Sequence, residues 1–130
     1  GFIEVAGRLL EPVNRDAQIL NCGYEVEAAE RAMQGLYAKL GGLPRGILFA
    51  SSLTLEGAVR FLKTRQAAEL AQCVFASYDW DPFAQCLRFP VHMAGQDVPA
   101  LLEAAFRIID GGFAGKGRVV EIRPRVIPAD

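Results

Sequence analysis

Apolar side chains at Phe2, Val5, Ala6 and Leu9 recur at the spacing of one helix face and predict a helix over Phe2 to Leu10. Glu11-Pro12-Val13-Asn14 ends it, because proline drives the residue before it out of helical geometry. Ala17-Gln18-Ile19-Leu20-Asn21 reads as a short apolar strand. From Glu25 to Leu40, Val26, Ala29, Met33, Leu36, Tyr37 and Leu40 share one stripe and give the clearest helix in the chain. Gly41-Gly42-Leu43-Pro44 stops it, with glycine before proline as helix ends prefer.

The same unit then repeats. Gly46 to Ala50 is a continuous apolar run through Ile47, Leu48 and Phe49, the pattern of a strand covered on both faces. Ser51-Ser52 offers an N-cap to a helix from Thr54 to Lys63. Gln72 to Ala76 is the next strand and runs into Ser77-Tyr78-Asp79-Trp80-Asp81. Pro82 to Leu87 reads as a short helix with proline in its first turn. Val91 to Ala94 is a strand, Val98 to Asp110 a helix, Gly111 to Gly117 a glycine-rich turn and Arg118 to Arg123 a last strand. Strands alternating with helices predict an α/β fold, a mostly parallel sheet flanked by helices. Ligands of such sheets bind outside the carboxyl ends of the strands. That rule singles out Asn21 to Tyr24, Ser51-Ser52, Tyr78 to Asp81 and Gly95-Gln96-Asp97, where polar and aromatic residues also concentrate.

Composition narrows the class. With 130 residues, 52% hydrophobic and 22% charged, the chain is one globular domain or a large piece of one, and disorder is excluded. A net charge of −1 with both signs interspersed lacks the basic footprint that grips nucleic acid. Cys22, Cys73 and Cys86 are widely spaced and form no CxxC pair, so no zinc knuckle or redox dithiol is indicated. Cys22 and Cys73 lie in apolar runs and are expected to be small buried hydrophobes. A reducing, cytoplasmic compartment fits this usage. No stretch reaches the ~20 apolar residues of a membrane span, and no signal peptide opens the chain. Gly1-Phe2 reads as an interior start, so the chain is expected to be a piece of a longer protein.

Candidate chemistry is sparse. His92 lies within a strand, without a carboxylate or cysteine at catalytic spacing, and reads as structural. Ser51 and Ser52 have no GxSxG elbow around them, and the glycines from Gly112 to Gly117 lack phosphate-loop spacing. No catalytic residue, metal or cofactor is indicated. Asp79 and Asp81 flank Trp80 at a strand end. A carboxylate beside aromatic rings is one way to hold a sugar, accepting bonds from hydroxyls while a ring packs on the apolar face. The alternative is a solvated turn, with Asp81 placed before Pro82.

Taken in order, several segments resemble the LacI family of transcription repressors: the Gly-Phe helix start, Tyr24-Glu25-Val26-Glu27-Ala28-Ala29, and Leu48-Phe49-Ala50-Ser51-Ser52 leading to Glu56-Gly57-Ala58. Tyr78-Asp79, Phe89-Pro90-Val91 and Gly95-Gln96-Asp97 continue the likeness to about Arg125. Within the family the chain is most similar to the fructose repressor branch, chiefly in Tyr24 to Ala29 and Phe49 to Ser52. The resemblance implies a type I periplasmic-binding-protein-like effector domain of two lobes around a sugar site. Residues 1–130 would form most of the C-terminal lobe. The helix-turn-helix, the N-terminal lobe and the first strand and helix of this lobe would lie outside the chain.

By the same resemblance, Asp79 contacts the effector, Tyr24 stacks on it, and Ser51 stands where relatives often carry asparagine or aspartate. A further arginine is expected upstream of the chain. The expected effector is a sugar or sugar phosphate, with a phosphorylated fructose first. Operator DNA would be reached only through the missing N-terminal domain. The lobes would pair as a homodimer through Leu53 to Leu62 and Phe83 to Phe89, with Leu53, Phe83, Cys86 and Leu87 as candidate interface residues. A sugar-binding protein of a transport system has the same fold and is the main rival. A flavodoxin-like or receiver domain is the other, but the acidic cluster and late lysine that a receiver needs are not visible.

Overall fold

Strands β1 (Gly46–Phe49), β2 (Val74–Tyr78), β3 (Val91–Gly95) and β4 (Arg125–Ile127) form one sheet in that order. The first three run parallel, and β4 is antiparallel to β3. This computed structural model describes residues 2–9, 14–111 and 119–129. Helices α1 (Phe2–Leu9), α2 (Arg15–Gln18) and α3 (Val26–Leu40) precede the sheet. Helices α4 (Ser52–Leu62) and α5 (Ala67–Leu70) connect β1 to β2. A 3-10 helix, Pro82–Cys86, connects β2 to β3, and α6 (Val98–Asp110) follows β3. The α/β architecture with a mostly parallel sheet is thus present.

The core lies on one face of this sheet. Phe49, Phe75, Val91 and Met93 point into it and meet Leu55, Ala58, Phe61 and Leu62 of α4 and Met33 of α3. Phe75 is stacked with Phe49 at 6.4 Å between ring centroids and tilted against Phe89 at 4.5 Å. Leu55 and Leu62 have no exposed surface, and full burial of such a side chain stabilises by about 1.5–3 kcal/mol. At the rim, Tyr37 meets Phe61 edge-on, and the Arg65 guanidinium sits over both rings at 4.9 and 4.7 Å.

The opposite face is open. Leu48 is 48% and Val74 59% exposed, and Tyr78 and Val126 also face outward. The expectation that β1 is covered on both faces is therefore corrected. The strand order has no reversal across β1, β2 and β3. Right-handed crossovers made in one direction place their connections on one side of a sheet, and α4 and the 3-10 helix both pack there. Phe83 and Leu87 lie half-buried against the same core.

Other expectations also change. Residues 17–21 form no strand. The Asn14 side chain accepts from the backbone N–H groups of Asp16 (3.1 Å) and Ala17 (3.2 Å) and starts the short helix α2 instead. Ile19 and Leu20 then stand exposed. No strand forms over 119–123, where the last strand was expected to run from Arg118 to Arg123. Pairing starts at Arg125, after Pro124, which has no N–H to give a sheet, and it places Ile127 beside Met93 at the edge of the core. Arg118, Gly112 to Gly117, Leu10 and Glu11 to Val13 lie outside the described residues. Strand β2 sits two residues later than expected because Gln66 to Leu70 close the unforeseen helix α5, with Cys73 N–H donating to the Leu70 carbonyl at 3.1 Å. Cys73 is buried, whereas Cys22 is only half-buried.

The α3–α4 contact depends on Gly57. A Cβ there would stand 2.2 Å from the Val26 carbonyl oxygen and 2.6 Å from the Ala29 Cβ. Both helices run the same way, since Arg60 bonds Glu27 at 2.9 Å while Phe61 meets Tyr37 further along α3. Gly57→Ala is expected to destabilise by about 1–3 kcal/mol through overpacking, although alanine favours helix by about 1 kcal/mol. Gly35→Ala in α3, where a Cβ would meet nothing within 4 Å, should stabilise by up to about 1 kcal/mol. Urea unfolding of the two variants checks this, and equal shifts of the same sign would contradict it.

Candidate ligand-binding site

Parallel pairing decides which loops meet. Phe49 is level with Ser77, and Tyr78 with Ala94, so β1, β2 and β3 end together and release Ser51, Asp79 and Gln96 along one edge. Each loop is then shaped by local hydrogen bonds.

Ser51 caps α4. Its Oγ accepts from Thr54 N–H at 3.3 Å, and Ser51 N–H donates back to Thr54 Oγ1 at 3.1 Å. The cap places Ser51 at the edge but occupies its hydroxyl as an acceptor. After β2, Asp79 adopts φ 81°, the left-handed region, and is the sole non-glycine residue to do so among the described residues. Aspartate tolerates this better than most side chains, and such strain gathers at functional sites. Its N–H donates to the Ala94 carbonyl at 3.1 Å, and its Oδ1 accepts from Gln96 Nε2 at 2.7 Å.

The neighbouring aspartates are used differently. Asp81 Oδ1 accepts from Phe83 N–H at 3.0 Å and starts the 3-10 helix. Asp97 Oδ1 accepts from Ala100 N–H at 3.1 Å and caps α6, while Oδ2 lies 3.6 Å from Arg125 Nη2. Asp79 and Asp81 therefore do not form a carboxylate pair around a shared group. Among the described residues no cluster of His, Cys, Asp and Glu could hold a metal ion. Trp80 and Tyr78, each 45% exposed, flank Asp79 in sequence. Gly95 makes room for this arrangement, because a Cβ there would lie 3.3 Å from Trp80 Cβ and 3.2 Å from Ile127 Cδ1.

Tyr24 is 81% exposed and precedes α3. It lies in a turn with Gly23, and no strand stands before it. The parallel course of α3 and α4 sets it toward the same end of the fold as Ser51. One residue that sequence reasoning did not assign, Gln96, belongs with Asp79. Gln96 had been noted only as part of a loop, and no spacing rule links it to a residue 17 positions earlier.

A shallow depression is lined by Ser52, Leu53, Glu56, Asp81 and Phe83. It holds two of the expected interface residues, Leu53 and Phe83, and neither Asp79 nor Tyr24. Cys86 is exposed beside it in sequence, and Leu87 is half-buried against the core. Burial pushes the Cys73 thiol up to about 11, so it behaves as a packed apolar group. His92 is exposed, and its Nδ1 accepts from Ala129 N–H at 3.1 Å. Among the described residues, no helix is long and apolar enough to cross a membrane.

No family model matches the sequence, and no curated protein aligns with it significantly. Solved structures do match its fold. The Cra transcriptional dual regulator of Pseudomonas putida, in complex with fructose 1-phosphate, superposes with TM-score 0.66 at 23% identity, over 82% of this chain and 40% of that one. The periplasmic binding protein of the Shewanella sp. ANA-3 arabinose transporter, bound to L-arabinofuranose, gives 0.69 at 16% identity, over 98% and 44%. A LacI-family regulator of Lactobacillus casei with bound sucrose gives 0.63 at 15% identity, over 98% and 46%. The fold is of the type I periplasmic-binding-protein kind. This chain spans less than half the length of each of these structures.

The left-handed backbone at Asp79 generates a direct expectation. Asp79→Ala and Asp79→Gly both lose the carboxylate, but only glycine adopts φ 81° without cost. Asp79→Gly should be the more stable of the two by about 1 kcal/mol. Thermal melts of the pair test this, and an alanine variant at least as stable as the glycine variant would contradict it.

Proposed function

We propose that this chain is the C-terminal lobe of the effector-binding domain of a LacI-type transcriptional regulator responding to a sugar or sugar phosphate, with a phosphorylated fructose as the first candidate. The observation that carries the reading is Asp79. It stands at the carboxyl edge of a periplasmic-binding-protein-like sheet, on strained backbone, with partly exposed aromatic residues on either side in sequence and its carboxylate not spent on a helix cap. The fructose 1-phosphate complex of the Pseudomonas putida regulator supports the effector class. Tyr24 would stack on the sugar from the α3 side, and Ser51 would lie beside it through its hydroxyl. The second lobe, the operator-binding helix-turn-helix and the upstream arginine would lie outside this chain, in a cytoplasmic protein that carries out no catalysis.

A homodimer belongs to this reading. Leu53, which is 42% exposed, and Phe83 line the open depression and would meet their symmetry copies across a two-fold axis. Cys86 and Leu87 would lie at its margin, Leu87 giving part of its surface to its own core.

The second reading, a sugar-binding component of a transport system, is favoured by one observation. The arabinose-transporter protein superposes over 98% of the chain with TM-score 0.69. The sequence upstream of the chain separates the two, through a helix-turn-helix in one case and an export leader in the other.

Calorimetric titration of the full-length protein with fructose 1-phosphate tests the proposal. A charged hydrogen bond contributes about 1.5–3 kcal/mol, so Asp79→Ala should weaken binding by about one to two decades and leave operator binding unchanged. Unchanged affinity would make Asp79 an ordinary turn residue.

A further inference from the structure

We infer that Arg88 of a second copy enters the depression beside Leu53 and Phe83, its guanidinium pairing there with the Glu56 and Asp81 carboxylates, and that the same contact recurs in the opposite direction. The inference rests on the homodimer proposed above and names what joins its halves.

The depression suits a cation on an apolar stem. Ser52, Leu53 and Glu56 come from the first turns of α4, Asp81 and Phe83 from the start of the 3-10 helix. Asp81 accepts from Phe83 N–H through Oδ1, and Glu56 from Arg60 through Oε1 at 3.2 Å. The second oxygen of each carboxylate makes no hydrogen bond among the described residues. Arg60 is divided between Glu56 and Glu27, which it bonds at 2.9 Å. One guanidinium thus faces two carboxylates, and Asp81 adds another negative charge with no ion pair among the described residues. Leu53 and Phe83 supply apolar surface for the methylenes of a long side chain, and a guanidinium fork suits two oxygen acceptors.

Arg88 is the cation placed to fill it. It is exposed between Leu87, half-buried against the core, and Phe89, which is buried, so its neighbours hold its backbone while its side chain meets solvent. It makes no ion pair among the described residues, its own Asp81 and Glu56 included. The 3-10 helix between Asp81 and Arg88, Pro82–Cys86, is about 10 Å long and keeps the two apart within one copy. A two-fold contact between these helices sets the start of one against the end of the other. Arg88 of each copy then meets the depression of the other. Leu53, Phe83 and the exposed part of Leu87 lie between the two charged contacts.

Sedimentation of the full-length protein over a range of concentrations tests this by charge exchange. Arg88→Glu and Glu56→Lys each set like charges against one another twice, and each should raise the dimer dissociation constant about a hundredfold. An equimolar mixture of the two variants should dimerise to within about tenfold of the wild type, because one contact is then unchanged and the other reversed. The double variant Arg88→Glu/Glu56→Lys, with both contacts reversed beside an unchanged Asp81, should lie between the single variants and the mixture. Circular dichroism checks that each variant is folded. Arg88→Gln and Glu56→Gln, each expected to weaken the dimer about tenfold, replace any that is not. Single variants that dimerise like the wild type, or a mixture that stays monomeric, would overturn the inference while leaving the homodimer intact. A wild type that is monomeric at tens of micromolar would overturn both.

Discussion

The parallel register of β1, β2 and β3 is the constraint on which the rest depends. Because Phe49 is level with Ser77 and Tyr78 with Ala94, three chain segments leave the sheet at the same height and in the same direction. Ser51, Asp79 and Gln96 are distant in sequence and become neighbours only through that alignment. A slip of one residue would turn Phe75 outward and Val74 inward, so the burial of Phe75 and the placing of Asp79 are set together. Packing energy in the core thus fixes the geometry of a polar edge that contributes little to stability itself.

The register is held from one side. Helix α4 lies on the sheet, α3 lies on α4, and Gly57 lets the two helices approach until backbone meets backbone. The other face keeps Leu48, Val74 and Val126 exposed. A strand order without reversal and right-handed crossovers account for this asymmetry. The strained φ of Asp79 is affordable because Asp79 N–H is tied to β3 and its carboxylate to Gln96.

Much of this was legible in the sequence. The long stripe from Val26 to Leu40, the serine cap before α4 and the helix from Val98 to Asp110 follow from periodicity and capping, which act over a few residues. The edge itself was legible too, because the rule for parallel sheets needs only the order of strands and helices. What failed were contacts made at a distance. The apolar run 17–21 looks like a strand, but a strand needs a partner, and Asn14 offers its backbone a helical turn instead. Likewise, consecutive apolar residues in β1 signal burial on both faces only if something covers both, which the strand order decides. The Gln96–Asp79 bond spans 17 residues, and no local pattern announces it. The fold comparisons fit the family resemblance read from Tyr24 to Ala29 and Phe49 to Ser52 at the level of architecture, at identities of 15–23% in the structures described.

The central claim is that a sugar is held at the carboxyl edge of the sheet by the Asp79 carboxylate. A crystal structure of the full-length protein with fructose 1-phosphate tests it most directly. The account predicts a sugar hydroxyl within hydrogen-bonding distance of Asp79, with the phosphate turned away from it. A sugar seated in the depression beside Leu53 and Phe83, with Asp79 touching only Gln96, would contradict it.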